Sequence, residues 1–189
     1  MGSNQSDGSL MGTVLDGEKG AKVEELIEAE EGATNRMGGW LASFITGTAV
    51  AVSLFHLYAA YEVVSAQVLR PVHVGAVLFL SFLLFPMARR FRDRVYWWDW
   101  LLALASLCVT GYIIAQGQDL GERAVTPTHT DYIVGVALVL LLLEATRRTT
   151  GLIMPLVATV FLLYALYGQY LPKPWTHRGY RPDDLVAHL

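Results

Sequence analysis

The apolar residues of this chain are pooled rather than spread. They gather into runs of about 18 to 27 residues separated by short polar breaks, and at 1.5 Å per helical residue such a run matches a hydrocarbon layer roughly 30 Å thick. A soluble domain would instead distribute its apolar residues by helix or strand periodicity. With 53% hydrophobic and only 16% charged residues among 189, the pattern predicts an all-α integral membrane bundle of about five transmembrane helices, multi-pass and in contact with a lipid bilayer.

The expected spans run from about Trp40 to Ala66, from after Arg70 to Ala88, from Trp97 to Gln116, from a cap at Thr130 or Asp131 to Arg148, and from Gly151 to Tyr170. Pro71 is expected at the first helical position of the second span, where its missing N–H costs nothing. Pro86 and Pro155 are expected to kink the second and fifth spans. No cleavable leader is expected in the polar opening "MGSNQSDGSLMGTVLDGEKG", so the first apolar run would serve as both targeting signal and anchor.

Charge sets the expected orientation. Loop 89–94, "RRFRDR", carries four arginines, Arg147 and Arg148 stand at the next break on that side, and Arg36 precedes the first span. Against these seven, the other side has Arg70, Arg123, Lys173, Arg178 and Arg181, five in all. Basic residues favour the cytoplasm, which places the N-terminus inside and the C-terminus outside. Trp97, Trp98 and Trp100 would then mark the inner interface, and Tyr164, Tyr167, Tyr170 and Trp175 the outer one.

The domain organisation follows. Residues 1–36 form a polar, acidic and largely disordered segment, in which "AKVEELIEAEEGA" has the pattern of a short amphipathic surface helix. Residues 37–149 form a four-helix membrane domain, and 150–189 a connector helix with a polar tail. Basic residues sit in short clusters at span ends, not in a stripe interleaved with aromatics, so no nucleic acid is expected as a partner.

The chemistry-bearing residues are few. Glu144, Arg147 and Arg148 interrupt "VALVLLLLEATRRTTGLIMPLVATVFLLYALYG", where three ionised side chains at mid-bilayer would cost on the order of 8–10 kcal/mol. A cytoplasmic turn at "EATRRTTG" removes most of that cost. Glu144 and Arg148, at i and i+4, can pair on one face. That pair reads as a boundary ion pair setting helix depth, as a contact to a neighbouring helix or subunit, or as part of a proton relay.

His56 and Glu62 fall in the outer half of the first span, about 240° apart around the helix. His56 reads as a hydrogen-bonded interior residue, since no His, Cys or carboxylate follows at i+3 or i+4 to complete a metal site. Ser43, Gly47 and Ala51 form a small-residue stripe suited to close helix packing. Cys108 reads as a small core residue with no disulfide partner.

No H-E-x-x-H, G-x-S-x-G or Gly-rich phosphate loop occurs, so the chain is not expected to be an enzyme, and no cofactor is expected. It also lacks the paired Gly/Pro-broken spans that point to a midplane substrate site. What remains is a compact helical module that binds other membrane helices.

Four stretches carry a family resemblance: "LRPVHVGAVLFLSFLLFP", "WWDWLLALASL", "LLLLEATRRTTGLIMPLVATVFLLYALYG" and "YLPKPWTHRGY". Across roughly residues 38–189 the chain resembles the N-terminal part of fused permeases of the tripartite ATP-independent periplasmic (TRAP) transporters. The resemblance implies the small membrane domain of a secondary transporter in a bacterial inner membrane. The family takes up organic acids by symport, received from a periplasmic substrate-binding protein. It also implies a large permease subunit or domain as partner, which holds the substrate and ion sites and moves against a fixed support. The final "RPDDLVAHL" would stand near where that large domain begins. A function of another class is a stand-alone membrane adaptor or assembly protein, recruiting a partner through the acidic N-terminal segment.

Overall fold

The computed structural model describes residues 19–20, 22–23, 38–88, 91, 94–122 and 128–176. Of the acidic segment only residues 19–20 and 22–23 are described, helical and exposed; the rest of it with most of its expected surface helix, most of the arginine loop, Arg123 and the tail beyond residue 176 lie outside the described residues. Five helices follow one another: α1 Gly39–Tyr61, α2 Ala66–Leu84, α3 Trp97–Glu122, α4 His129–Thr150 and α5 Ile153–Tyr167. A 3₁₀ turn, Gly168–Tyr170, extends the last. Each of the five, α5 together with its 3₁₀ turn, is long and apolar enough to cross a membrane, and no strand occurs among the described residues.

The centre is a three-helix unit of α2, α3 and α4. On α2 the buried positions are Gly75, Leu78, Phe79, Phe82 and Leu83, the i, i+3, i+4, i+7, i+8 pattern that gathers one helical face. On α4 they are Asp131, Gly135, Leu138, Leu141, Ala145 and Arg148, again one face. The α3 face between them is small and partly polar: Ala103, Ser106 and Thr110 are all buried. Its hydroxyls are satisfied within the helix, Ser106 Oγ donating to the Ala103 carbonyl at 2.7 Å and Thr110 Oγ1 to that of Ser106 at 2.8 Å. Small residues let helices approach closely in lipid, where apolar burial gives no drive of its own. The helices approach closely where Gly75 faces Thr110: a Cβ on Gly75 would stand 2.5 Å from Thr110 Oγ1.

The outer helices pack differently. Helix α1 buries a single residue, Ile45, and α5 a single residue, Pro155. Their remaining apolar side chains face outward, Leu57 with 69% of its surface exposed and Phe161 with 66%. Outward-facing apolar surface on this scale is what a lipid environment accommodates and water does not.

Several boundaries depart from the sequence reading. Helix α2 begins at Ala66, capped by Ser65, whose hydroxyl accepts from the Gln67 N–H at 3.3 Å. Pro71 therefore lies inside the helix, where it forfeits one backbone bond, and not at its first position. Pro86 lies beyond the end of α2 at Leu84, and Pro155 is the third residue of α5, so neither sits in a helix interior where it would kink the span. Helix α4 starts earlier than expected because Thr128 is the cap. Its hydroxyl accepts from the Asp131 N–H, while the Asp131 carboxylate accepts from the Thr128 N–H at 2.9 Å, a reciprocal capping box. Helix α3 bends at Gly117, close to the expected end at Gln116.

The expected turn across "EATRRTTG" narrows to its last residue, since the i,i+4 pairing and the hydroxyls of Thr149 and Thr150, which donate to carbonyls within the same helix, keep the first seven helical. Helix α4 runs through Arg147 and Arg148 to Thr150, and Gly151 (φ 79, ψ −164) turns the chain into α5. That backbone region is almost exclusive to glycine.

Candidate functional site

The polar centre of the molecule is built where α2 ends, α3 begins and α4 approaches its last turn. Helix α2 leaves unpaired carbonyls at its C-terminus and α3 presents unpaired N–H groups at its N-terminus. Asp99 lies in the first turn of α3, where a carboxylate suits the helix dipole, and its Oδ2 accepts from the Tyr96 N–H at 3.0 Å. Arg148, in the last turn of α4, lies between these two helix ends.

Its Nη1 donates to Asp99 Oδ1 at 2.6 Å, to the Phe85 carbonyl at 3.2 Å and to the Phe82 carbonyl at 3.5 Å. Its Nε donates to Glu144 Oε1 at 2.9 Å. The guanidinium carbon lies 5.3 Å from the centroid of the Phe82 ring. One cation thus caps the C-terminus of α2, neutralises the acid at the N-terminus of α3 and pairs along α4. The Arg148 and Asp99 side chains are 1% and 2% exposed. The lipid-facing polarity problem posed by the sequence is solved by pairing inside the bundle.

Arg147 occupies the rim of the same cluster. Its Nε and Nη2 clasp the two Glu144 oxygens at 2.7 and 2.8 Å, and Nη1 and Nη2 reach the Met87 carbonyl at 3.3 Å. Two arginines meet two carboxylates, so the cluster carries no net charge. Glu144 and Arg147 are about a quarter exposed while Arg148 and Asp99 are closed off. Arginine holds its proton throughout the accessible pH range, and every carboxylate oxygen described here is engaged by a donor. The arrangement suits a fixed interhelical clasp.

At the opposite end of the three-helix unit, Tyr112 of α3 donates to Asp131 Oδ1 at 2.7 Å. Asp131 belongs to the capping box of α4, so the α3–α4 pair is tied at both ends by a carboxylate.

The residues singled out from the sequence meet different fates. Glu144 and Arg148 pair as their spacing predicts, but Arg148 does not reach water: it is buried against two other helices, because two helix ends and Asp99 together offer it more acceptors than an interface would. His56 is hydrogen-bonded, its Nδ1 to the Val52 carbonyl at 2.7 Å, and its Nε2 meets Nδ1 of His73 on α2 at 2.9 Å. Glu62 is the exposed residue that ends α1. Ser43, Gly47 and Ala51 are exposed, and a Cβ on Gly47 would meet nothing within 4 Å. Among the described residues no helix packs against their stripe. Cys108 is likewise exposed and not a core residue. At the far end of α5, Tyr164 donates to the Trp175 carbonyl at 2.9 Å, and the Tyr167 and Tyr170 rings stand 6.5 Å apart, an aromatic cluster of the kind expected at an interface.

Sequence reasoning missed Asp99 and His73 as partners. Asp99 carried a signal, a lone carboxylate two residues into an apolar run, while His73 carried none, because its partner lies 17 residues away on another helix.

The chain was compared with protein-family models, with curated proteins and with solved structures, and none of these matches it.

Proposed function

We propose that this chain is the membrane scaffold of a TRAP-type secondary transporter for organic acid uptake, the small-subunit-like portion that supports a large permease domain in a bacterial inner membrane. The observation that carries this reading is the division of the bundle. Its centre is locked by the Arg148 clasp and the Gly75–Thr110 contact. Its flanks, α1 and α5, each bury one residue and leave long apolar faces uncovered. A support for a moving domain needs a stiff middle and broad faces for other helices. The quoted resemblance across residues 38–189 points the same way. In this reading the Arg148 cluster lies at the cytoplasmic side and the α1–α2 turn at the periplasmic side. Substrate and ions bind to the large partner, which receives its substrate from a periplasmic binding protein.

Tagged chain extracted from its native membrane in mild detergent should co-purify with a large multi-span permease subunit. Recovery of the folded chain without such a subunit contradicts the reading. Deleting residues 1–36 separates it from the adaptor alternative: transport persists if the bundle is the scaffold, and is lost with assembly intact if the acidic segment recruits a partner.

A further inference from the structure

Outside the Arg148 cluster, the fold brings two metal-ligating side chains into contact among the described residues, His56 and His73. His56 lies five residues before the end of α1 and His73 seven residues after the start of α2. Both are therefore within about 10 Å, along the helix axes, of the turn joining the two helices. His73 is exposed on the bundle surface and His56 is partly covered.

The hydrogen bonds fix the state of each ring. His56 Nδ1 lies 2.7 Å from the Val52 carbonyl, an acceptor only, so this nitrogen carries the proton. His56 Nε2 is then a bare lone pair, directed at His73 Nδ1 2.9 Å away. A ring whose far N–H is anchored on a backbone carbonyl, leaving the near nitrogen as a free donor of electrons, is the arrangement that orients metal-ligating histidines and raises their basicity. His73 Nδ1 donates to it in the metal-free pair. Tautomerisation of His73, its proton passing from Nδ1 to Nε2, frees the second lone pair, with no net proton released.

The spacing also suits a metal. With metal–nitrogen bonds of about 2.1 Å, two ligands at a right angle stand about 3.0 Å apart, and at the tetrahedral angle about 3.4 Å. The observed 2.9 Å between the two nitrogens needs an opening of at most about half an ångström. The rings stand at 79° to one another with 4.9 Å between centroids.

We propose that His56 and His73 form a bidentate site for a borderline divalent transition metal, Cu²⁺, Ni²⁺ or Zn²⁺, bridging α1 and α2. Imidazole pairs select these ions over Mg²⁺ and Ca²⁺, with Cu²⁺ the tightest of the series. Among the described residues no group of three or more His, Cys, Asp or Glu is placed to hold a metal. The two imidazoles are thus the side-chain ligands that the described residues offer the ion. Metal binding exchanges a neutral N–H···N bond for two coordinate bonds, and so fastens the α1 end that carries little other burial.

The test uses the full chain in detergent, without a histidine tag, titrated with Cu²⁺ and followed by electron paramagnetic resonance with nitrogen modulation. The sequence has five histidines. A variant with His129→Ala, His177→Ala and His188→Ala retains only the pair, and is expected to bind one Cu²⁺ per chain with two imidazole nitrogens. His73→Gln, which keeps a donor for His56 Nε2, is expected to weaken that binding by about tenfold or more. Excess Zn²⁺ is expected to displace the signal. Zero or one coordinated imidazole in the triple variant overturns the proposal, as does undiminished binding in His73→Gln. Elution of each variant at the wild-type volume in size-exclusion chromatography establishes that it is folded.

Discussion

Replacing Asp99 by Asn removes one charge from the clasp while keeping its shape. The Asn carbonyl still accepts from the Tyr96 N–H, so the start of α3 stays capped, and the change isolates the ion pair. Arg148 then loses its 2.6 Å partner and shares Glu144 with Arg147, leaving two cations on one carboxylate. Removing one partner of a buried pair costs about 3–5 kcal/mol, because the other charge is left uncompensated. Two features reduce this. Glu144 remains at 2.9 Å and the carbonyls of α2 still accept, and Arg147, 30% exposed, can turn toward water. The expected loss is about 2–3 kcal/mol. Reversible unfolding in mixed micelles of increasing SDS fraction, followed by the tryptophan fluorescence of Trp98 and Trp100, measures it. A loss within about 0.5 kcal/mol of zero, the range of an ordinary surface change, refutes the assignment of Asp99 and Arg148 as the centre of the clasp.

Three further outcomes follow from the geometry. Glu144→Gln is expected to cost about 1–2 kcal/mol in the same assay, less than Asp99→Asn, because Glu144 is partly exposed and Arg148 keeps Asp99; the reverse order contradicts the burial of Asp99. Gly75→Ala places a methyl group 2.5 Å from Thr110 Oγ1 and is expected to cost about 1–3 kcal/mol by overpacking. Thr110→Ala in the same chain should recover most of that loss, and no recovery would place the strain elsewhere. Gly151→Ala forces a side chain into a backbone region that costs about 1–3 kcal/mol. It should loosen the α4–α5 turn, read as faster proteolysis there with the α2–α4 unit intact.

Much of the fold was legible because lipid imposes a coarse rule. Apolar runs of membrane length became helices, and the break at "EATRRTTG" survived only as Gly151, its last residue, because the first seven continue α4. The i,i+4 pairing of Glu144 with Arg148 was also legible, since both residues lie on one helix. What the sequence could not carry was the third dimension of the charges. Arg148 was expected in water because a span-end arginine ordinarily reaches it; its burial depends on the ends of two other helices meeting there. His56 had no partner at helical spacing, and the partner came from α2. The small-residue stripe of Ser43, Gly47 and Ala51 misled for the opposite reason. A packing motif names a face and not the helix that covers it, and among the described residues none does. The helix starts shifted because Ser65 and Thr128 are better caps than the proline and the later threonine that had suggested the boundaries.

The central claim is that Arg148 joins α2, α3 and α4 from inside the bundle and does not anchor a turn in water. A double-mutant cycle of Asp99→Asn and Arg148→Gln in the SDS assay addresses it directly. The account predicts that the double variant is more stable than the sum of the single losses implies, by a coupling of about 1–3 kcal/mol, as for residues in one buried network. Additive losses would mean that the two side chains do not meet in the membrane-embedded protein, and the clasp would have to be abandoned.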